Sequence, residues 1–387
     1  MELRPEIQEL LEDVTRFRRE LHQIPELGLQ EKKTAAYLRE ALTSFGIKEI
    51  YPMLDTATIA ILRGKQPGKV LGFRSDIDAL PVTEETGVPF TSKHSGKMHA
   101  CGHDGHMATL LGFAKYLASH EEEISGTIVL VFQPAEEGPG GAQLLIEAGL
   151  FEKFKIEQMI GMHVFPEFPE GVIACRPHAM MARNGEITIK VYGTSAHGAQ
   201  PQQGQDAILA SAAIISGLHS IISRNISPLD AGVLTFGQIN VGEAMNIIAG
   251  KVVIEGTMRA FSNEAYERMT QRVDTLTREI AKGYGCRADV EFRHMYHVVD
   301  NDPEMVEVLK KVAGTAYVET KPYMLAEDFS MYQQKVPSLF FFTGIRNEEK
   351  GYIYPLHSGK MQFDEKNLLG AIQLYIDLVA ALNKGVH

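Results

Sequence analysis

The pattern of apolar and polar residues alternates between two periods along most of the chain. Helical spacing occurs over residues 5–23 and 32–45, and again over "DGHMATLLGFAKYLASH", residues 104–120. Between these segments stand short continuous apolar runs, such as "TIVLVFQP", "QMIGMHV" and "SLFFFTG". Because a strand covered on both faces needs no polar face, these runs predict a mainly parallel sheet covered by helices.

The pattern changes near residue 184. The segments "GEITIKVYG", "AGVLTFGQIN" and "KVVIEGTMRAF" alternate apolar and polar residues, which is typical of antiparallel strands with one exposed face. Two helical segments, about 205–224 and 263–284, are interleaved with them, and helix and buried-strand character returns at 303. We therefore predict an α/β fold with a smaller α/β domain inserted into a larger one. The predicted boundaries are 184–296 for the inserted domain and 1–183 with 297–387 for the larger, discontinuous domain.

Composition narrows the class of protein. A chain of 387 residues with 44% hydrophobic and 22% charged residues is typical of a globular protein with about two domains. The formal net charge of -11 argues against a nucleic-acid partner, and the apolar runs considered are too short to cross a bilayer. Three widely separated cysteines without a secretory signal predict the reducing cytoplasm.

The segment "MHACGHDGH", residues 98–106, concentrates metal-binding side chains. In an extended backbone His99, Cys101 and His103 would share one face, and His106 would lie on the helix that follows. A structural zinc knuckle is one alternative, but the chain has no C-x-x-C pair. Polar loop residues without a ligand are the other.

Asp104 lies where the helix over 104–120 is predicted to begin. Its side chain has the chemistry of an N-cap, which accepts an early backbone N–H. A role in the site is equally open at this point.

Further candidate ligands follow the predicted buried strands. In "VLVFQPAEEGPGG", Glu136 and Glu137 come directly after a strand, and their side chains should point in different directions. One carboxylate could then bind a metal while the other acts as a general base. His163 ends "MIGMHV", and His357 lies in a loop before the last helix. Each could be an ordinary polar residue, but together they lie where open α/β sheets place their sites.

These motifs together resemble a known family. "RSDIDALP", "MHACGHD", "FQPAEEGPGGA", "GMHV", "SAHGAQP", "MNIIAG", "GTMRAF", "AEDFSMY" and "PLHS" occur in order over essentially the whole chain. The set is similar to the M20 metallopeptidases, specifically the amidohydrolase branch of aminoacylases, hippurate hydrolases and auxin-conjugate hydrolases. Arg74 and Cys101 agree with this branch, since other branches have a histidine and an aspartate there. The resemblance implies a two-metal catalytic domain and a ferredoxin-like lid domain that often dimerises.

The resemblance also implies roles for individual residues. It makes Cys101 a bridge between two divalent ions, Glu136 the general base and His197 the donor to the oxyanion. Asp76 is expected to contact the metal ligands without binding a metal itself. The resemblance does not make His94, His99 or His106 ligands. The other implied ligands are His103, Glu137, His163 and His357, and the implied substrate-binding residues are Asn246 and Arg259.

The implied activity is hydrolysis of an N-acyl amino acid, in particular an N-acetyl one, to a free amino acid and a carboxylate. A dipeptidase or carboxypeptidase with the same site is the alternative among hydrolases, and a non-catalytic metal-binding protein is the alternative outside them. Zinc, manganese, cobalt and nickel all suit the mixed ligand set. The expected partners are a small-molecule substrate and a second copy of the chain. Ala326 replaces the glycine usual before Glu327 and Asp328, which leaves substrate preference open.

Overall fold

The computed structural model describes residues 2–383, apart from the side chain of Glu123. The chain divides into two compact units. The larger unit contains the residues up to His178, Asp300–Lys321 and the residues from Asp328 onward, and the smaller unit contains Ala179–Val299 and Pro322–Glu327. The segment Pro322–Glu327 is too short to show a period, so the sequence pattern holds no signal that it belongs to the smaller unit.

The helices and strands follow one another in the alternating order typical of α/β folds. The helices are α1 (Pro5–Gln8), α2 (Leu11–His22), α3 (Lys32–Ser44), α4 (His103–Ser119), α5 (Gly141–Glu147), α6 (Leu150–Phe154), α7 (Ala207–Leu218), α8 (Ser220–Asn225), α9 (Asn263–Gly283), α10 (Pro303–Ala313) and α11 (Lys366–Leu382). The strands are β1 (Glu49–Met53), β2 (Ala57–Arg63), β3 (Gln66–Asp76), β4 (Ser125–Gln133), β5 (Gln158–Pro169), β6 (Ile173–Cys175), β7 (His178–Met181), β8 (Arg183–Tyr192), β9 (Ala196–His197), β10 (Gly232–Val241), β11 (Ile247–Ile248), β12 (Lys251–Ala260), β13 (Arg287–His294), β14 (Val299–Asn301), β15 (Tyr317–Glu319) and β16 (Ser338–Arg346).

An eight-stranded sheet in the order β1-β2-β4-β3-β5-β16-β6-β15 forms the centre of the larger unit. The four strands β4, β3, β5 and β16 are parallel, which confirms the predicted parallel sheet for its centre. The sheet is nevertheless mixed, because β1, β2 and β6 pair in antiparallel fashion with their neighbours. In the parallel register Asp76 lies opposite Gln133, so the segments after β3 and β4 emerge side by side.

The core of the larger unit explains why its strands are continuous apolar runs. Residues Val129 to Phe132 of β4 have no exposed surface on either face of the strand. Helix α4 packs against α2, α11 and β3, which buries residues all around it. The helical spacing predicted over residues 5–23 corresponds to two helices, since a turn between Gln8 and Leu11 separates α1 from α2.

The smaller unit contains a four-stranded antiparallel sheet in the order β10-β12-β8-β13. Ile187, Ile189 and Val191 alternate along β8 and are buried against α7 and α9. The predicted helix over about 205–224 is divided into α7 and α8 at His219.

One helical segment among the described residues, Ala207–Asn225, is long and apolar enough to cross a membrane by those two criteria alone. The segment contains polar residues among its apolar ones, so it does not stand out as an uninterrupted apolar run. Ala207, Ala210, Ile214 and Leu218 of α7 are fully buried in the core of the smaller unit. We therefore interpret the segment as core helices.

Candidate metal centre

A tight turn before α4 brings the first candidate ligands together. Gly102 is the N-cap of α4 and has a φ of 92°, and a Cβ at this position would lie 2.4 Å from a methyl group of Val164. Glycine is therefore required by both conformation and space. The turn places the Cys101 thiol 3.4 Å from Nε2 of His163 on β5, and His103 becomes the first residue of the helix.

Cys101, His103 and Glu137 form a group with the geometry of a metal site. One ligand atom from each residue lies within 4.8 Å of the other two. Nε2 of His103 is buried and has no hydrogen-bond partner, which is costly unless something binds it. A thiolate, an imidazole and a carboxylate together suit a divalent transition metal. The described residues therefore fit a metal ion at this place.

Two backbone carbonyls orient the imidazoles of His103 and His163. Nδ1 of His103 donates to the Asp78 carbonyl at 2.8 Å, and Nδ1 of His163 donates to the Val164 carbonyl at 2.6 Å. In the neutral form of each ring, which is the form that binds a metal, this bond fixes the tautomer, so the lone pair lies on Nε2. Histidine ligands of metals are commonly oriented in this way.

The charges around Cys101, His103 and Glu137 favour the presence of a cation among them. Burial by itself lowers the pKa of His103, but the nearby carboxylates of Asp76 and Asp78 outweigh it and raise this pKa to about 10. Burial raises the pKa of the Cys101 thiol well above its ordinary value, and the charges of Glu137 and Glu136 add to the effect. A thiolate at Cys101 therefore needs a positive charge beside it.

His357 reaches the same group from the loop after β16. Its Nε2 lies 3.1 Å from Oε1 of Glu137, and its backbone N–H donates to the Ala100 carbonyl at 2.8 Å. His357 has a φ of 64°, and Ala135, directly before the two glutamates, has a φ of 56°. Positive φ is uncommon outside glycine and is concentrated at functional sites.

Asp76 forms a second group with His103, His106 and His163, whose ligand-type atoms all lie within 4.8 Å of one another, and its shortest contact is with His106. Its Oδ1 accepts from Nδ1 of His106 at 2.6 Å, and Nε2 of His106 accepts from the backbone N–H of Val164 at 2.9 Å. Nε2 of His103 is 3.6 Å from the other Asp76 oxygen. His106 thus connects Asp76 to the backbone beside His163. The sequence pattern places His106 on helix α4 but does not indicate that it contacts Asp76.

Arg74 anchors Asp76 from the interior of the sheet. This fully buried side chain donates to Asp76 at 2.8 Å, to Asp328 at 2.7 Å and to Gln133 at 2.9 Å. The carboxyl group of Asp76 is also fully buried, and its pKa is held well below the ordinary value because the charges of His103 and Arg74 and the hydrogen bond from His106 outweigh burial. Asp76 is therefore a buried anion beside the candidate ligands.

Two predictions about the opening motif were wrong, and a third residue, His94, lies outside the group as expected. Asp104 is not the N-cap of α4, because its carboxylate instead accepts from His22 at 2.8 Å and from Arg18 at 3.2 Å. His99 does not share the face of Cys101 and His103, since residues 100–102 form a turn rather than a strand. The His99 ring lies 6.5 Å from that of His22, between centroids. His94 bonds the Pro25 carbonyl and Lys33, outside the group.

The remaining candidate residues belong to the smaller unit. His197 on β9 pairs with Ile247 on β11, and the Gly198 N–H donates to the Asn246 carbonyl at 2.8 Å, so His197 and Asn246 are neighbours. Both are exposed. Nδ1 of His197 accepts from the Ala199 N–H at 3.0 Å, which leaves the proton on Nε2. Arg259 on β12 donates to the Met324 carbonyl, and within the described residues no hydrogen bond joins it to His197 or Asn246.

Comparisons with known proteins agree with this arrangement. The model of peptidase family M20/M25/M40 matches residues 72–381. The N-acetyldiaminopimelate deacetylase of Exiguobacterium sibiricum is 37% identical over 367 residues, which cover 94% of this chain and 98% of that protein. The N-acetyldiaminopimelate deacetylase of Lactobacillus acidophilus is 39% identical over 370 residues, covering 93% and 95% of the two chains.

Two solved structures are also similar over nearly the whole chain. A protein from methicillin-resistant Staphylococcus aureus, described as an aminohydrolase, has a TM-score of 0.93 at 32% identity, with 98% of each chain covered. The YXEP protein of Bacillus subtilis, described as a dinuclear metal binding peptidase, has a TM-score of 0.86 at 31% identity. The match covers 97% of this chain and 99% of that one.

Proposed function

Because this chain belongs to peptidase family M20/M25/M40, we propose that it is a metal-dependent amidohydrolase that removes the acetyl group from an N-acetylated amino acid, with N-acetyldiaminopimelate as the first candidate. The observation that carries the proposal is the group formed by Cys101, His103 and Glu137, with an unpartnered, buried imidazole nitrogen in it. The names of the two relatives at 37% and 39% identity supply the candidate substrate.

Two divalent ions would be held by the predicted ligand set. Cys101 is proposed as the ligand shared by both ions, because a thiolate has lone pairs for two metals. Its sulfur lies beside His163 and also belongs to the group with His103 and Glu137. His357 is the last proposed ligand, because its Nε2 lies beside the Glu137 carboxylate. Bound divalent ions would supply an acidified water and a polarised amide carbonyl. The dinuclear description of the YXEP protein, at 31% identity, supports two ions rather than one.

Glu136 is the proposed general base and later the general acid. Its carboxylate would take a proton from the attacking water and then give it to the nitrogen of the leaving amine. The side chain is buried and adjoins Glu137 in sequence, so base and ligand are delivered by one loop. A ligand cannot also act freely as a base, which is why two adjacent carboxylates are needed.

His197 is the proposed donor to the oxyanion that forms on the substrate carbonyl. The bond from the Ala199 N–H to Nδ1 leaves a proton on Nε2, so the exposed edge of the ring is a hydrogen-bond donor. Asn246, its neighbour, and Arg259 are the proposed partners of the substrate's free carboxylate. One Arg259 nitrogen is committed to the Met324 carbonyl, and the remaining N–H groups suit a carboxylate.

We propose further that the smaller unit is a lid that pairs two copies of the chain. Strand β10 is an edge strand, and its Ile239 and Val241 are about half exposed. Ile208 and Leu209 of α7 and the fully exposed Met245 add apolar surface to this unit. An unpaired edge with apolar side chains favours association with a second copy. The free thiols of the three cysteines agree with the reducing cytoplasm as its location.

The test is a turnover assay on metal-stripped protein to which zinc, manganese, cobalt or nickel has been restored separately. The substrates are N-acetyldiaminopimelate, other N-acetyl amino acids and matched dipeptides. Release of acetate from acetylated substrates, with slower dipeptide cleavage, supports the proposal. Faster dipeptide cleavage would make the chain a dipeptidase, and binding of metal without turnover of any substrate would contradict an enzymatic role.

A further inference from the structure

Three successive backbone N–H groups at the candidate base and ligand donate to buried carboxylates. The N–H of Ala135 donates to Oε1 of Glu31, and those of Glu136 and Glu137 donate to Oδ1 and Oδ2 of Asp78, each at 3.0 Å. Glu31 and Asp78 have no exposed surface. The sequence does not predict these contacts. Glu31, for example, is more than a hundred positions from Ala135 in the chain.

The segment that carries Glu31 packs closely on this loop. A Cβ on Gly28 would lie 2.5 Å from the Gly138 carbonyl oxygen and 3.1 Å from Cα of Ala135, so only glycine allows the approach. In the same segment the carbonyl of Glu26 accepts from the Ala79 N–H at 2.8 Å. Residues 25–31 therefore contact both the loop after β4 and the segment after β3.

We propose that Glu31 and Asp78 are positioning residues, which fix the backbone of residues 135–137 and thereby aim the side chains of Glu136 and Glu137. The inference rests on the proposed function for the roles of those two glutamates. Ala135 has a φ of 56°, a conformation that persists only where surrounding contacts hold it. Three hydrogen bonds to carboxylates supply those contacts, and they fix the direction in which both glutamate side chains leave the backbone.

The two positioning residues differ in the hydrogen-bond acceptors that they supply, so substitutions can test them separately. Both oxygens of Asp78 accept backbone N–H groups, and an asparagine offers only one acceptor. Glu31 accepts from Ala135 with one oxygen and from the Thr56 hydroxyl with the other, at 2.9 Å. A glutamine can keep the first bond and donate to the Thr56 oxygen, because a hydroxyl rotates. Burial, with the charge of Asp78, raises the pKa of Glu31 to about 7, which agrees with a need for an acceptor rather than a charge.

The experiment compares Asp78→Asn, Glu31→Ala and Glu31→Gln with the wild-type protein. Asp302→Ala is the matched control, since it removes a carboxylate that accepts a backbone N–H at 2.9 Å at the start of α10. Hydrogen exchange of the amides of residues 135–137 is measured, together with metal content, kcat and KM for the acetylated substrate. We expect faster exchange and a loss of about 10- to 100-fold in kcat for Asp78→Asn and Glu31→Ala. Glu31→Gln and Asp302→Ala should stay close to wild type.

Equal damage from Glu31→Gln and Glu31→Ala would overturn the proposal, as would unchanged exchange of these amides in Asp78→Asn. If Asp78→Asn does not fold, the comparison between Glu31→Gln and Glu31→Ala decides alone. Hydrogen exchange requires no turnover. An inactive wild type would therefore contradict the proposed function, while exchange of the three amides would still decide whether Glu31 and Asp78 hold the loop.

Discussion

His22 and Asp104 form a buried ion pair, with 2.8 Å between Nδ1 of His22 and Oδ2 of Asp104. Burial by itself lowers the pKa of His22, but the carboxylates of Asp104 and Glu84 outweigh it and raise this pKa to about 9. Burial likewise opposes ionisation of Asp104, yet Arg18 and His22 hold the pKa of its carboxyl well below the ordinary value. His22 is therefore a cation at neutral pH, within the larger unit.

The raised pKa of His22 predicts how stability depends on pH. The stabilising effect of the proton is complete below the ordinary pKa of 6.5 and is lost as the pH rises through about 9. The free energy of unfolding of the wild type, minus that of His22→Gln, should therefore fall between pH 6.5 and 9, by at most about 3 kcal/mol. Denaturant titrations at a series of pH values measure it. His219→Gln, which alters an exposed histidine, is the control, and a pH-independent difference for His22→Gln would contradict the prediction.

Asp104 shows where a local sequence rule fails. An aspartate at a predicted helix start has N-cap chemistry, and nothing nearby in the sequence contradicts that interpretation. The helix begins one residue earlier, at His103, and Asp104 turns inward to Arg18 and His22, which lie on α2. Its carboxylate is committed to two buried cations and caps no backbone N–H of the helix. The partners are more than eighty positions away, so periodicity could not identify them.

The proposed bridging role of Cys101 predicts a joint loss of metal and activity. Cys101→Ala removes the thiolate shared by two ions, so elemental analysis should find less bound metal and the assay should find no turnover. Cys175→Ala and Cys286→Ala should retain both, because Cys175 bonds the Phe340 carbonyl inside the sheet and Cys286 lies in the smaller unit. Full metal occupancy in Cys101→Ala would reduce the cysteine to a structural role.

The two adjacent glutamates should separate by function. Glu136→Gln removes a base but no ligand, so metal content and KM should be retained while kcat falls by about 100-fold or more. Glu137→Gln should instead weaken metal binding, because the Glu137 carboxylate belongs to the group with Cys101 and His103. Metal titrations and steady-state kinetics on both variants measure the difference. Similar metal affinity and similar rates in the two variants would refute the assignment of base and ligand.

Some features of the candidate site could be predicted from the sequence, and others could not. The end of the apolar run at β4 correctly marked the loop that carries Glu137. The prediction that a strand ends at His163 was wrong, because β5 continues to Pro169. The antiparallel edges of that sheet were missed, since a buried strand is apolar in either direction. The support from Glu31 and Asp78 was also missed. Such contacts depend on how distant loops meet, and a single acidic residue in a loop carries no sign of its partner.

The proposed pairing of lids predicts complementation between two inactive variants. Our hypothesis is that the chain is a dimer in which His197 of one subunit serves the metal site of the other. His197→Ala lacks the oxyanion donor and Glu136→Ala lacks the base, so each homodimer should be nearly inactive. After subunit exchange, a heterodimer would contain one site with both groups intact and one with neither. Activity should therefore return in part in the mixture, which the acetate-release assay measures.

The control for complementation is a mixture of Glu136→Ala with Glu136→Gln, which can exchange subunits but cannot restore a base to any site. Exchange itself is followed by mass spectrometry of subunits that carry different isotopic labels. Recovery in the first mixture alone supports action across the interface, because no single chain in it has both groups. If labelled subunits exchange and the His197→Ala mixture stays inactive, action across the interface is refuted, and His197 acts from the same chain or not at all. A wild type that is monomeric and fully active would refute the pairing of lids as well.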